Sequence, residues 1–176
     1  MNKVHKNGRF IFCFFSRNGG VSKGNFSSLN CSYNIEEDKR NVKNNRDKAR
    51  SLINPEKRIV FVNQIHSNKV IVIKKKSSTK LMYADAMISE RKDILLGILT
   101  ADCAPIVTIG RNYFGIIHAG WKGAISGIIE NTINALLING ENINELKFFV
   151  GPHLKKKSFE VKSDFINILK KKNFDF

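Results

Sequence analysis

The stretch 100-TADCAPIVTIGRNYFGIIHAGWKG-123 places two apolar runs, PIVTIG (105–110) and YFGII (113–117), on either side of a Gly-Arg-Asn turn at 110–112. β-branched and aromatic residues flanking a glycine turn predict a β-hairpin. Beyond His118 the apolar period changes. Ile125, Ile128, Ile129, Ile133, Leu136 and Leu137 fall on one helical stripe, and Gly140 stands where a C-terminal cap belongs. A hairpin running directly into a helix sets the class as α+β, with α and β elements mixed along one chain. Cys103 and His118 each sit where an apolar run gives out, fifteen residues apart.

Working outward, residues 10–16 predict a strand, 16–30 a glycine-bearing loop, and 36–53 a helix ended by Asn54-Pro55. Strands follow at 58–64, 69–74, 84–89 and 94–100, then the hairpin, a strand at 146–151 and a helix at 162–172. Hairpins within a strand-rich middle, with no GxGxxG after a strand, exclude a doubly wound nucleotide fold and predict a mixed sheet. At 176 residues with no repeat and no Pro/Ser-rich linker, the chain reads as a single domain, 1–176.

No apolar stretch approaches the roughly 20 residues needed to span a bilayer. The six-residue run at 10–15 follows a basic start but leads into Ser-Arg-Asn-Gly-Gly, which offers no signal-peptide cleavage site. The expected location is cytoplasmic. Three cysteines at unrelated spacings imply no disulfide framework. The net charge of +15 comes from 22 Lys and 8 Arg in an Asn- and Ile-rich chain, a bias that an AT-rich coding genome produces whatever the function. The lysine clusters at 74–76, 155–157 and 170–172 lack the interleaved aromatics or glycines of a nucleic-acid surface and read as solvated loops.

Three strand ends carry reactive side chains: His66 after RIVFVNQ, Cys103 after ILLGILT, and His118 after YFGII. Two histidines and one cysteine form a three-protein-ligand set for a zinc with an open fourth position, and the same set suits copper. Spacing alone leaves the alternatives open: a metal site, a metal-free Cys103–His118 nucleophile and base as in a cysteine hydrolase or deamidase, or buried structural residues. Asp85 and Asp102, each preceded by alanine near a strand end, are candidates to orient a histidine or act as general base. Arg17, beside a double glycine, is a candidate anion clamp. Gly120 and Lys122 open the helix after His118, where free N–H groups favour an anion.

The segments 16-SRNGGVSKGNFSSLN-30, 64-QIHSNKV-70, 84-ADAMIS-89, 100-TADCAPI-106, 118-HAGWKG-123 and 150-VGPHLKKKSFEV-161 closely resemble the bacterial YfiH family, also called laccase-domain or multicopper-oxidase-like purine nucleoside phosphorylases. The resemblance implies mixed β-sheets sandwiched between helices and a metal held by His66, Cys103 and His118. It implies zinc-dependent phosphorolysis of adenosine, inosine, guanosine and S-methyl-5′-thioadenosine, together with adenosine deamination. Copper-dependent, laccase-like polyphenol oxidation is the alternative attributed to the same family. Substrates would be purine nucleosides and phosphate, with Arg17, Gly120 and Lys122 on the phosphate. The chain departs from the family in Ser67, where a glycine commonly follows the first histidine, and in Lys122, where an arginine often follows the tryptophan. Lys157 and Ser158 stand where some members carry cysteines. Family members continue beyond Phe176, so the resemblance implies a member that lacks the C-terminal part of the family domain.

Overall fold

The computed structural model describes residues 2–33, 35–74, 82–161 and 163–171. Lys75, Lys76 and Lys172 of the lysine clusters lie outside the described residues. The elements run β1 (Lys3–Asn7), β2 (Phe10–Phe14), α1 (Lys39–Ile53), β3 (Arg58–Phe61), β4 (Val70–Val72), β5 (Ala86–Ser89), β6 (Ile94–Gly97), β7 (Ala104–Ile109), β8 (Phe114–Ala119), α2 (Trp121–Ile125), α3 (Ile128–Ile138), β9 (Lys147–Val150) and α4 (Ser163–Lys171).

The decisive hairpin forms as expected: β7 and β8 pair antiparallel from Ala104↔Ala119 to Ile109↔Phe114. They are the centre of a five-stranded mixed sheet in the order β4-β5-β8-β7-β9, with one parallel pair, β4-β5. Alternation assigns the two faces. Ile106 and Ile117 point to one side with Ala86 and meet Ile128 of α3, and Ile88 with Tyr113 meets Leu136. On the opposite side, Val107 and Ile109 meet Phe12 of β2, while Met87 and Ile116 pack with Leu96 of β6.

Two short pairs therefore form a second layer: the antiparallel hairpin β1-β2 and the parallel pair β3-β6. Helix α1 closes that side. Asp38 caps its start by accepting from the Arg40 N–H at 2.8 Å, and Val42, Asn45 and Ala49 form its buried stripe. Fully buried Asn45 accepts from the Val21 N–H and donates to Ser22 Oγ and the Asn30 carbonyl, tying the glycine-bearing loop to the helix. Arg46 lies between Tyr33 and Phe61, 4.3 and 4.0 Å from the ring centroids, and donates to the Cys31 carbonyl. The order of layers, helix–sheet–sheet–helix, is the sandwich that the family resemblance implies.

Three details differ from the sequence reading. β1 forms where the sequence shows only a basic start, because its alternating Lys and His hide a strand that, among the described residues, pairs on one edge only. His118 lies inside β8, one residue before its end, rather than after it. The single helix expected after Trp121 is two helices, because Gly127 adopts φ +86, a left-handed conformation that breaks the run between α2 and α3.

The turn of the central hairpin is held by Glu141, just beyond the C-terminus of α3. Its carboxylate, 6% exposed, accepts from the backbone N–H groups of Arg111, Asn112 and Tyr113, each at 2.6 Å. Burial pushes the Glu141 carboxyl up, but the three N–H donors outweigh it and hold it below the ordinary value. A depressed folded-state value contributes stability above the unfolded value of about 4.3, which is lost as pH falls through the folded one. Glu141→Gln should cost about 1–3 kcal/mol in urea unfolding near neutral pH. The difference between variant and parent should shrink below about pH 4. An unchanged difference across that range would separate the clip from the carboxylate charge.

Candidate metal and anion site

The sandwich face of the sheet ends at a cleft of about 1030 Å³ whose lining includes His66, Cys103, His118 and Arg17. His118 arrives on β8, Cys103 on the turn entering β7, and His66 on the loop between β3 and β4. One ligand atom from each of the three lies within 4.8 Å of the others. The His66 and His118 rings meet edge to face at 4.8 Å, and Cys103 Sγ is 3.9 Å from His66 Nε2.

Asp85 joins these elements. It is fully buried at the entry to β5, and its carboxylate accepts from the N–H groups of Ile65, His66 and Ser67 at 3.3, 3.0 and 2.6 Å. Ser67 Oγ donates to it at 2.7 Å, and His118 Nδ1 does so at 2.8 Å. Burial raises the Asp85 carboxyl, but the His118 and Ser67 hydrogen bonds prevail and keep it below its ordinary value. An ionised carboxylate only accepts, so Nδ1 of His118 donates to it, which leaves Nε2 as the ring nitrogen available to a ligand. This is the arrangement in which a carboxylate fixes the tautomer and direction of a ligating histidine. His66 itself sits at φ +56, a conformation costing a non-glycine residue about 1–2 kcal/mol, and its N–H bond to Asp85 holds it there.

A second clamp sets the distance between the His66 and Cys103 loops. Gln64 donates from Nε2 to the Leu99 carbonyl at 2.7 Å and accepts the Leu99 N–H at 2.8 Å. Neither Gln64 nor Ser67 was singled out as functional from sequence. Ser67 stood out as a residue in place of a glycine, and the structure gives it two of the five bonds to Asp85.

The trio fits a metal ion. Tetrahedral bonds of ordinary Zn–N and Zn–S length put N and S donors about 3.3–3.6 Å apart, and the donor atoms here lie within 4.8 Å of one another, so closing by up to about 1.5 Å gathers them on one ion. Gly120 leaves the room: a Cβ there would come within 2.9 Å of His66 Cδ2 and 3.0 Å of Cys103 Sγ. Burial pushes the Cys103 thiol up, and the negative charges of Asp102 and Asp85 push it further. A free thiolate is therefore disfavoured, whereas a bound cation reverses the local electrostatics. His118 is committed to Asp85, and the imidazole nearest the sulfur is that of His66, which argues against a Cys103–His118 dyad.

The other expected site residues fall unevenly. Asp102 is exposed, and its carbonyl accepts the Leu154 N–H. Arg17 faces the cleft and donates from Nε and Nη2 to the Ser27 carbonyl at 2.9 and 2.5 Å, leaving further N–H groups of the guanidinium to an incoming anion. Lys122 is exposed, its ammonium 5.5 Å from the ring centre of Trp121 and outside the cleft lining. Helix α2 is five residues long, too short to offer the strong anion pole expected at its start.

Asp85→Asn should retain the fold while placing an N–H donor against either His118 Nδ1 or the 65–67 amides. Zinc affinity, read by competition with a chromophoric chelator, should fall about 10–100-fold. Unchanged affinity would show that the carboxylate does not set the histidine tautomer.

The chain's relatives bear on this site. Residues 11–176 match the family model described as multi-copper polyphenol oxidoreductase laccase. A purine nucleoside phosphorylase of Pseudomonas aeruginosa is 32% identical over 151 residues, covering 85% of this chain and 59% of that protein. Purine nucleoside phosphorylase YfiH of Escherichia coli is 29% identical over 151 residues, again 85% of this chain and 60% of that protein. A crystal structure from Neisseria meningitidis matches 94% of this chain with a TM-score of 0.84 and 26% identity, and the chain covers 68% of it. The chain thus spans about three-fifths of the curated relatives it matches. By the family model, these relatives and the shared fold, the chain belongs to the YfiH family of laccase-like domains.

Proposed function

We propose that this chain carries the metal- and phosphate-binding part of a zinc-dependent purine nucleoside phosphorylase that also deaminates adenosine. The observation that carries the reading is the convergence of His66, Cys103 and His118 in a cleft that Arg17 also lines, in a chain whose relatives are named purine nucleoside phosphorylases. Adenosine, inosine, guanosine and S-methyl-5′-thioadenosine are the candidate nucleosides. His66, Cys103 and His118 would hold a zinc ion, which would supply a Lewis acid able to lower the pKa of water to about 7.

The protein's own residues have distinct tasks in this reading. Asp85 keeps the proton on His118 Nδ1, so the imidazole presents Nε2 throughout. Arg17, exposed on the 16–30 loop, attracts phosphate and holds it by charge-assisted hydrogen bonds while its oxygen approaches the ribose C1′. The 97–103 segment, fixed by Gln64, keeps the Cys103 side of the cleft in register. Among the described residues one group of three ligand-type side chains gathers, which favours a single ion over the several coppers of a laccase. No helix among the described residues is long and apolar enough to cross a membrane, and the free thiols accord with a cytoplasmic setting.

Zinc-loaded protein should release adenine from adenosine only when phosphate is supplied, and Cys103→Ala should abolish both zinc retention and release. Arg17→Ala should raise the KM for phosphate about 10-fold or more with zinc content unchanged, as expected for loss of a charged hydrogen bond. Folded, zinc-replete protein that releases no purine would sink this reading, and release that survives chelation would transfer it to metal-free chemistry.

A further inference from the structure

The chain contains three Asn-Gly pairs, Asn7-Gly8, Asn18-Gly19 and Asn139-Gly140. The side-chain amide of an asparagine is open to attack by the backbone nitrogen of the next residue, and glycine, with no Cβ, leaves that approach clear. The structure treats the three pairs differently. Asn139 ends α3, donating from Nδ2 to the Ala135 carbonyl at 2.7 Å, while the Gly140 N–H donates to the Leu137 carbonyl at 3.0 Å. Asn7 closes the β1-β2 ladder opposite Phe10, and in an extended strand the side chain stands away from the following backbone nitrogen. Asn18 is exposed on the 16–30 loop, outside any strand or helix. Among the described residues, neither its side-chain amide nor the Gly19 N–H has a hydrogen-bond partner; its own bonds run through its backbone, to Ser16 Oγ and Asn2 Nδ2.

We propose that Asn18 is a deamidation site, and that its conversion weakens the anion clamp at Arg17. The Gly19 nitrogen bonds to Cγ of Asn18 and gives up its proton, the Cγ–Nδ2 bond breaks, and ammonia leaves a succinimide behind. Water then opens the ring at either carbonyl, giving aspartate or isoaspartate. Water is the only co-reactant, and nothing is oxidised or reduced. Each product puts a carboxylate one residue from Arg17, about 3.8 Å along the backbone, where it opposes the approach of an anion. Isoaspartate also adds a methylene to the main chain between two positions that leave no slack. On one side, the Arg17 carbonyl accepts from the Ser28 N–H, the Leu29 N–H and Ser28 Oγ at 3.0, 2.7 and 2.9 Å. On the other, Gly20 lies so close to the returning chain that a Cβ there would come within 1.9 Å of the Ser28 carbonyl oxygen. The added atom therefore shifts Arg17 off the Ser27 carbonyl that orients its guanidinium. The modification stands on the loop geometry alone, and its effect on phosphate rests on the phosphorylase reading of Arg17.

The test is to age the zinc-loaded 176-residue chain at mildly alkaline pH and follow its peptides by mass spectrometry, where each conversion adds about 1 Da. The Asn18 peptide should convert at least 10-fold faster than the Asn139 peptide, whose cyclisation must first break two hydrogen bonds, with Asn7 between them. Inorganic phosphate, titrated calorimetrically, should bind the aged chain and fresh Asn18→Asp at least about 3-fold more weakly than the fresh parent. The loss in Asn18→Asp should shrink at high salt, and Asn18→Gln should keep the parent's affinity through the same ageing. Equal conversion at Asn18 and Asn139, or an Asn18 that outlasts Asn7, overturns the site. Phosphate affinity that survives conversion, or that falls as far in aged Asn18→Gln, overturns the effect on Arg17. A fresh parent that binds no phosphate sinks the phosphorylase reading and the effect with it, while the order of masses still decides the site.

Discussion

The buried carboxylate of Asp85 is the constraint on which the site rests. Taking an isolated charge out of water costs several kcal/mol, and a chain keeps such a group only where hydrogen bonds offset the cost. Here three amide N–H groups, one hydroxyl and one imidazole converge on it. Charged hydrogen bonds contribute about 1.5–3 kcal/mol each, so five of them suffice to retain the charge. The same five bonds fix a left-handed histidine, the tautomer of a second histidine, and the distance between the β3–β4 loop and β8. The site is preorganised because the burial of Asp85 tolerates no looser arrangement.

That arrangement also bears on the chemistries the residue types allow. A thiol activated without metal needs an adjacent base and a favourable field. Cys103 has an imidazole 3.9 Å away but sits among negative charges and in a desolvated position, both of which hold the proton on sulfur. A cation brought to the trio turns the same surroundings into an asset, since the carboxylates that oppose a thiolate then balance the ion. Arg17 brings a separate positive charge to the lining of the cleft.

Much of this was legible residue by residue. The Gly-Arg-Asn turn, the β-branched runs beside it and the stripe from Ile125 to Leu137 obey local rules, and the hairpin and helix followed where those rules placed them. β1 escaped because a strand paired on one edge and wet on both faces carries no apolar alternation. The break at Gly127 escaped because the apolar stripe continues across it, and only the backbone angle reveals the change of axis. Gln64 and Ser67 escaped for a different reason. Polar residues near strand ends are common, and what makes these two matter is the partner each finds, thirty-five residues away for Gln64 and eighteen for Ser67.

The sequence by itself determined the element types and the α+β class, and it put forward two histidines and a cysteine as a candidate ligand set with metal-free readings still open. Periodicity, turn chemistry and ligand type are properties of neighbouring residues, and they survive without knowledge of the fold. Only the tertiary structure decided that Asp85 rather than Asp102 serves the histidines and that Lys122 lies outside the cleft. Those outcomes depend on which strands become neighbours across a sandwich. Strand neighbourhood is settled by long-range packing of apolar faces and by the placement of a buried charge, and no local pattern encodes it.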